Sequence, residues 1–231
     1  MKIGAVTTGT LELKPTFLEG SPAHGGPLGL ILALRRDPAF THPLPMWAWV
    51  IETDAERILI DAGGRSGMGG GVTRTRFMIA PEQDLVPELA RRGIQPGGID
   101  RILMTHLHGD HVGGLAAFDS RRVWVARAEW APVARFPGRL MRPLVAPVHQ
   151  GFAPQLFEFD GPAMLGFPRS WPVTRDGSIV ALPTPGHSPG HIAFYHAPTK
   201  VLLGGDVLFE NSIGRTDLPG GNFETLITSI H

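Results

Sequence analysis

The stretch Thr105-His106-Leu107-His108-Gly109-Asp110-His111 follows directly on a short apolar run, Asp100 to Met104 (DRILM). That run reads as a buried strand. His106 and His108 are two residues apart, so on an extended segment their side chains point the same way. Asp110 and His111 come after a glycine that permits a sharp bend. Four groups able to bind a metal therefore converge within six residues at a strand's end. Neutral imidazole and carboxylate suit Zn²⁺, Fe or Mn²⁺. The competing reading is a polar loop with incidental histidines. The density of donors straight after a strand argues against it.

Upstream, Met46 to Glu52 (MWAWVIE) and Arg57 to Asp61 (RILID) flank Thr53-Asp54-Ala55-Glu56 and read as a hairpin. Ser66 to Gly71 is a flexible loop without the Gly-Lys-Ser/Thr of a phosphate cradle, which argues against a nucleotide site. Glu82 to Arg92 carries Leu85, Val86 and Leu89 at helical spacing and stops at Gly93. Downstream, Arg122 to Ala126, Ser178 to Pro183, His191 to Tyr195 and Lys200 to Gly204 read as short strands. Phe223 to His231 starts a helix. Residues 131 to 170 are rich in Pro, Phe and Arg with weak periodicity, as an insertion or cap over a site would be. Strands alternating with helices predict a mixed α/β (α+β) fold in a single domain, residues 1–231.

Composition narrows the function. The 231-residue chain is 42% hydrophobic and 18% charged, the profile of a globular protein. Its formal net charge is zero, which argues against a nucleic-acid partner. Arg121, Arg122, Arg127, Arg135, Arg139 and Arg142 read as solvated surface. With no cysteine, a metal site must use nitrogen and oxygen ligands. The N-terminus has no signal-peptide core, and Leu28 to Leu34 is short of the roughly 20 apolar residues that span a bilayer. A cytoplasmic protein that does not engage membranes is expected. His24, His42, His149 and His196 are isolated and read as surface or loop residues, with a substrate contact conceivable for His149.

The run His106 to His111 resembles the HxHxDH signature of the metallo-β-lactamase superfamily. Thr184-Pro185-Gly186-His187-Ser188-Pro189-Gly190-His191 resembles that family's third ligand motif, and Leu203-Gly204-Gly205-Asp206 the strand that ends in its bridging aspartate. Asp61, in Ile60-Asp61-Ala62-Gly63, resembles the early aspartate that supports the site. The resemblance implies an αββα four-layer sandwich with a metal pair, most simply Zn²⁺, at one edge. It implies His106, His108 and His187 on the first ion, Asp110 and His111 on the second, and Asp206 bridging. Asp110 would also carry a proton to the leaving group. His191 is expected to support the site without binding metal. The chemistry implied is attack by a metal-bound hydroxide on an activated acyl group.

One family element has no counterpart. A further histidine, in a Pro-Gly-His turn well beyond the bridging aspartate, is not found. His231 is 25 positions beyond Asp206, in a segment that reads as a helix, and is not assigned the role. The chain also stops before the family's last strand and helix, which puts the second metal site in question.

Two segments point to different substrates. Thr7 to Asp61 resembles the N-acyl-homoserine lactone lactonases, whereas Ser212-Ile213-Gly214-Arg215-Thr216-Asp217-Leu218-Pro219-Gly220-Gly221 resembles the glyoxalase II-like thioesterases. Its Gly-Arg-Thr-Asp core also occurs in single-iron persulfide dioxygenases. A lactonase-like ester hydrolase acting on a small acyl substrate is the first expectation. A thioesterase, an iron-dependent dioxygenase and an inactive truncated member are the alternatives, and a homodimer is expected by analogy. Phe40 to Trp47, with Phe136, Phe152, Phe157 and Phe159, would line an acyl groove or else belong to the core. The substrate-binding residues are otherwise unassigned.

Overall fold

The computed structural model describes residues 1–19, 25–135, 148, 151–210 and 212–231. The chain opens with β1 (Lys2–Glu12), α1 (Pro15–Glu19) and α2 (Pro27–Arg36). The expected hairpin follows as β2 (Leu44–Glu52) and β3 (Arg57–Ile60), with Glu52 opposite Arg57. Then come β4 (Arg76–Met78), α3 (Leu85–Ala90), β5 (Arg101–Leu103), α4 (Gly109–Val112), β6 (Val123–Ala126), α5 (Arg127–Ala134) and β7 (Gln155–Phe157). These strands form one sheet in the order β4-β1-β2-β3-β5-β6-β7. The half from β3 to β7 is parallel, so its strands end on the same side.

A second sheet, β11-β10-β9-β8, is antiparallel and built from β8 (Trp171–Pro172), β9 (Ile179–Pro183), β10 (Ile192–His196) and β11 (Val201–Leu203). A two-stranded ribbon, β12 (Leu208–Phe209) and β13 (Ser212–Ile213), precedes the last helix, α6 (Phe223–Ile230).

Alternation along the strands explains the layering. On β3, Ile58 and Ile60 join one apolar core while Leu59 joins another. On β5, Ile102 and Leu103 divide the same way. Both faces of the first sheet are thus buried, which a period of two produces when every position is apolar. One core lies under α3 and α5 and contains Leu85, Leu89 and Val133. The other joins the two sheets through Ile179, Ala181, Ile192 and Phe194. Residues Ser229 and Ile230 of α6 line a cavity with the outward-facing Leu182, Ala193 and Tyr195, so α6 covers the second sheet's far side. This is the layered mixed α/β architecture that the motifs implied. Among the described residues, no helix is long and apolar enough to cross a membrane.

Several local expectations change. The 82–92 helix begins only at Leu85, because Asp84 is extended (φ −58°, ψ 152°) with its carboxylate taken by Ser66 N–H at 2.5 Å and Ser66 Oγ–H at 2.8 Å. Its end is as expected: Gly93 has φ +72° and Ile94 N–H reaches back to Leu89 O at 3.0 Å. His196 is buried rather than at the surface, with Nδ1 2.6 Å from Thr199 Oγ1. His42 is exposed.

Residues 155–157 do not form a cap; they are the edge strand of the main sheet. Phe157 stacks on Trp171 between the sheets, Phe159 packs edge-on against it, and Phe152 sits in the helix-side core. Core therefore accounts for these aromatics. Phe40 lies between Lys14 Nζ and the Arg76 guanidinium, 3.4 and 3.5 Å from its centroid. His24, Phe136, Arg139, Arg142 and His149 lie outside the described residues.

Candidate metal centre

Parallel strands β3 and β5 end side by side, and the segments that leave them carry Asp61 and the run from Thr105 to His111. The second sheet brings in His187 from the β9–β10 loop and Asp206 from the segment after β11. Ile192 N–H donates to Thr105 O at 3.0 Å and ties the two sheets together at this edge.

Asp61 organises the first part of the site. It holds φ +59°, a left-handed conformation that costs a non-glycine residue of order 1 kcal/mol or more. Its Oδ1 accepts Thr105 N–H at 2.8 Å, and its Oδ2 accepts Thr105 Oγ1–H at 2.8 Å. Oδ2 also lies 2.8 Å from His111 Nδ1, which must donate to a carboxylate. Thr105 has spent its one hydroxyl proton on Asp61, so its oxygen accepts from His106 Nδ1, 3.0 Å away. The proton of His106 is thus on Nδ1, and its Nε2 carries a bare lone pair. That Nε2 is buried without a hydrogen-bond partner.

His187 is oriented in the same way. Its Nδ1–H donates to Arg215 O at 2.7 Å, and its Nε2 lies 3.0 Å from His108 Nδ1. Two nitrogens on one tetrahedral ion, each at about 2.0–2.1 Å, stand about 3.3 Å apart. Among the described residues two donor sets could hold an ion: His106, His108 and His187, and His106, His111 and Asp206, each with its donor atoms within 4.8 Å of one another. Asp110 is looser, with Oδ2 3.8 Å from His111 Nε2. His191 has both nitrogens engaged, since Nε2 accepts Asp206 N–H at 3.1 Å and Nδ1 donates to Thr184 Oγ1 at 2.9 Å. It acts on the site through the backbone of Asp206. His231, at the exposed end of α6, belongs to neither donor set.

The electrostatics suit a cation. Burial, then the neighbouring histidines, hold His106 well below the usual imidazole pKa. Burial and His187 do the same for His108. Burial would also lower His111, but the carboxylates of Asp206, Asp61 and Asp110 outweigh it and raise its pKa well above the usual value. Burial opposes ionisation of Asp206, yet the charge and hydrogen bond of His111 keep its carboxyl well below the usual range. Asp110 is raised, chiefly by burial. A bare, buried imidazole nitrogen beside carboxylates that already favour positive charge on His111 fits a divalent ion.

Gly214 lets the ribbon approach. A Cβ there would overlap the carbonyl oxygen of Asp206 and lie 3.2 Å from His187 Nδ1. Gly214→Ala is therefore expected to push Asp206 off the site and lower metal affinity by at least about tenfold, the scale seen when ligand-supporting groups are lost. Chelator competition measures this, and unchanged affinity would show that the ribbon is free to move.

Three supporting groups were not read from the sequence: Thr105, the carbonyl of Arg215, and Glu129. Glu129 is buried on α5 and accepts bonds from Leu107 N–H (3.1 Å), Ser188 Oγ–H (2.7 Å) and Gly190 N–H (2.9 Å). An acidic residue one turn into an apolar helix carries no local mark of such a role.

The family model described as "Metallo-beta-lactamase superfamily" matches residues 43–231. The probable metallo-hydrolase YqgX of Bacillus subtilis is 38% identical over 169 residues, 67% of this chain and 75% of that protein. The hydroxyacylglutathione hydrolase GloC of Haemophilus influenzae is 33% identical over 141 residues, 56% of this chain and 59% of that protein. The N-acyl homoserine lactonase AiiA of Bacillus thuringiensis is 28% identical over 194 residues, 78% of this chain and 71% of that protein. Among solved structures, an N-acyl homoserine lactone hydrolase with N-hexanoyl-L-homoserine bound at its catalytic metal centre superposes with a TM-score of 0.64 at 20% identity, covering 99% of this chain and 85% of that one.

Proposed function

Because this chain belongs to the metallo-beta-lactamase superfamily, we propose that it hydrolyses an ester-type bond, with a lactone of the N-acyl homoserine type as its substrate class. The bare, buried Nε2 of His106 carries this reading. His106, His108 and His187 would hold one divalent ion, and Asp110, His111 and Asp206 would supply the donors for a second. Zn²⁺ is the ion proposed, and Fe or Mn²⁺ could use the same donors. A bound ion would supply Lewis acidity towards a carbonyl oxygen and lower the pKa of a water towards about 7.

The chain's own groups do the remaining work. Thr105, held by Asp61, and the Arg215 carbonyl keep His106 and His187 in the tautomers that leave Nε2 bare, and Asp61 orients His111 through its Nδ1–H. Asp110, whose carboxyl burial raises, takes the proton of the attacking water and delivers it to the leaving alkoxide. Water is thereby added across the ester, giving an acid and an alcohol.

The choice of a lactone is supported by the extent of the AiiA match, 194 residues against 141 for GloC. The second reading is a thioester substrate. It is supported by the higher identity to GloC, 33% against 28%, and by the ribbon segment whose buried Arg215–Asp217 pair flanks the carbonyl that orients His187.

The test is metal content per chain, with an N-acyl homoserine lactone and a hydroxyacyl-glutathione thioester assayed on the same sample. Two metals and lactone turnover are expected. Turnover of the thioester alone would move the substrate to the second reading. One iron with no hydrolysis would point instead to sulfur oxidation. A fully metallated protein inert towards both acyl substrates would overturn the proposal.

A further inference from the structure

The loops that carry the first metal's three histidines come from different sheets, and Glu129 touches both. Its Oε1 accepts the N–H of Leu107, the residue between His106 and His108. Its Oε2 accepts the hydroxyl of Ser188, next to His187, and the N–H of Gly190, next to His191. The sequence separations are 22, 59 and 61 residues, so no local preference creates these contacts. The helix itself is pressed against the second loop: a Cβ at Gly190 would overlap the backbone nitrogen of Glu129. A carboxylate is the one side chain able to accept all three donors from one short stem, since it has two oxygens and no proton of its own to clash with them.

We infer that Glu129 is a positioning residue that clamps the His106–His108 segment to the His187 loop and so sets the geometry of the first metal site. This rests on the metal-site reading above. Glutamine at this position keeps the shape but presents an NH₂ to one side. If that group faces Leu107, two N–H donors confront each other beside His106 and His108. If it faces the other loop, Gly190 N–H meets it instead. Either way one loop is released, and His187 Nε2 no longer stands at its fixed distance from His108 Nδ1.

The experiment compares Glu129→Gln with the parent by chelator competition, by the visible absorption of the Co²⁺-loaded protein, and by thermal melting of the metal-free form. Glu129→Gln should lose about 10- to 100-fold in metal affinity. Its Co²⁺ bands should shift in position and intensity, because the ligand angles have changed. Ser188→Ala removes one of the three donors and keeps the carboxylate. It should lose a smaller factor in the same direction, and it decides the matter if Glu129→Gln fails to fold. Parental affinity and spectrum in a folded variant, with only the melting temperature lowered, would overturn the inference and leave Glu129 as a packing residue. A parent that binds no metal at all would instead overturn the site reading, and this inference with it.

Discussion

His106→Ala should strip the first metal and lower hydrolysis by at least about three orders of magnitude. The ring of His106 is wholly buried and lies at the centre of the cluster, with centroids 4.1–5.0 Å from those of His108, His111, His187 and His191. It is the residue shared by both donor sets. Alanine removes a ligand that a water cannot replace from the buried side. The rate estimate is a lower bound, because an ion shifts the pKa of its water from about 15.7 to about 7. The variant should keep its fold, since both apolar cores are built from other residues. Circular dichroism, metal content and turnover on one preparation check this. His196→Ala is the control, a buried histidine on β10 that belongs to neither donor set and should leave metal and rate intact. Near-parental turnover in His106→Ala would place the chemistry elsewhere.

The metal-free protein should lose stability steeply as pH falls below about 6.5, the ordinary histidine value. Burial, then neighbouring rings, depresses the folded-state pKa of His106, His108 and His191. A depressed histidine favours the neutral form. Its contribution is present above the unfolded pKa and is lost as pH falls below it, because the unfolded chain then takes up a proton that the folded chain refuses. Each such group adds a slope of about 1.4 kcal/mol per pH unit, and the three together add at most about 4.

His111 runs the other way. Its folded pKa is raised, so its contribution is complete below about 6.5 and fades as pH rises towards the folded value. Asp110 and Glu129, both raised by burial, offset part of the loss at the acid end. The expected profile for chelated protein is a maximum near pH 6.5 with a steeper acid side, measured by denaturant unfolding at several pH values. A flat profile between about pH 5 and 6.5 would mean that these rings accept protons without cost in the folded state.

Much of the site was legible because its information is local. Four donors lie within six residues, a glycine supplies the bend, and an apolar strand precedes them. His187 and Asp206 were legible only through the resemblance of their short motifs, Thr184 to His191 and Leu203 to Asp206, to those of a family. The supports were not. Thr105 is one residue in a motif read for its histidines, and its role appears only when Asp61 arrives 44 positions away to take its proton. Glu129 has the composition of any surface glutamate. Helix α3 was overextended because Asp84 finds a partner, Ser66, that no window around it contains. Phe152 and Phe157 left core and groove equally open, since an aromatic ring serves both until its neighbours are known.

The amino-acid sequence alone determined that His106, His108, Asp110 and His111 converge at the end of a strand, because period-two burial and ligand spacing are properties of adjacent residues. Tertiary structure decided which nitrogen of His106 and of His187 is left bare. Tautomers follow from the hydrogen bonds that Thr105 gives to Asp61 and accepts from His106, and that His187 gives to the Arg215 carbonyl. Those partners meet only when two sheets close on one another, so the state of the ligands belongs to the fold and not to the motif.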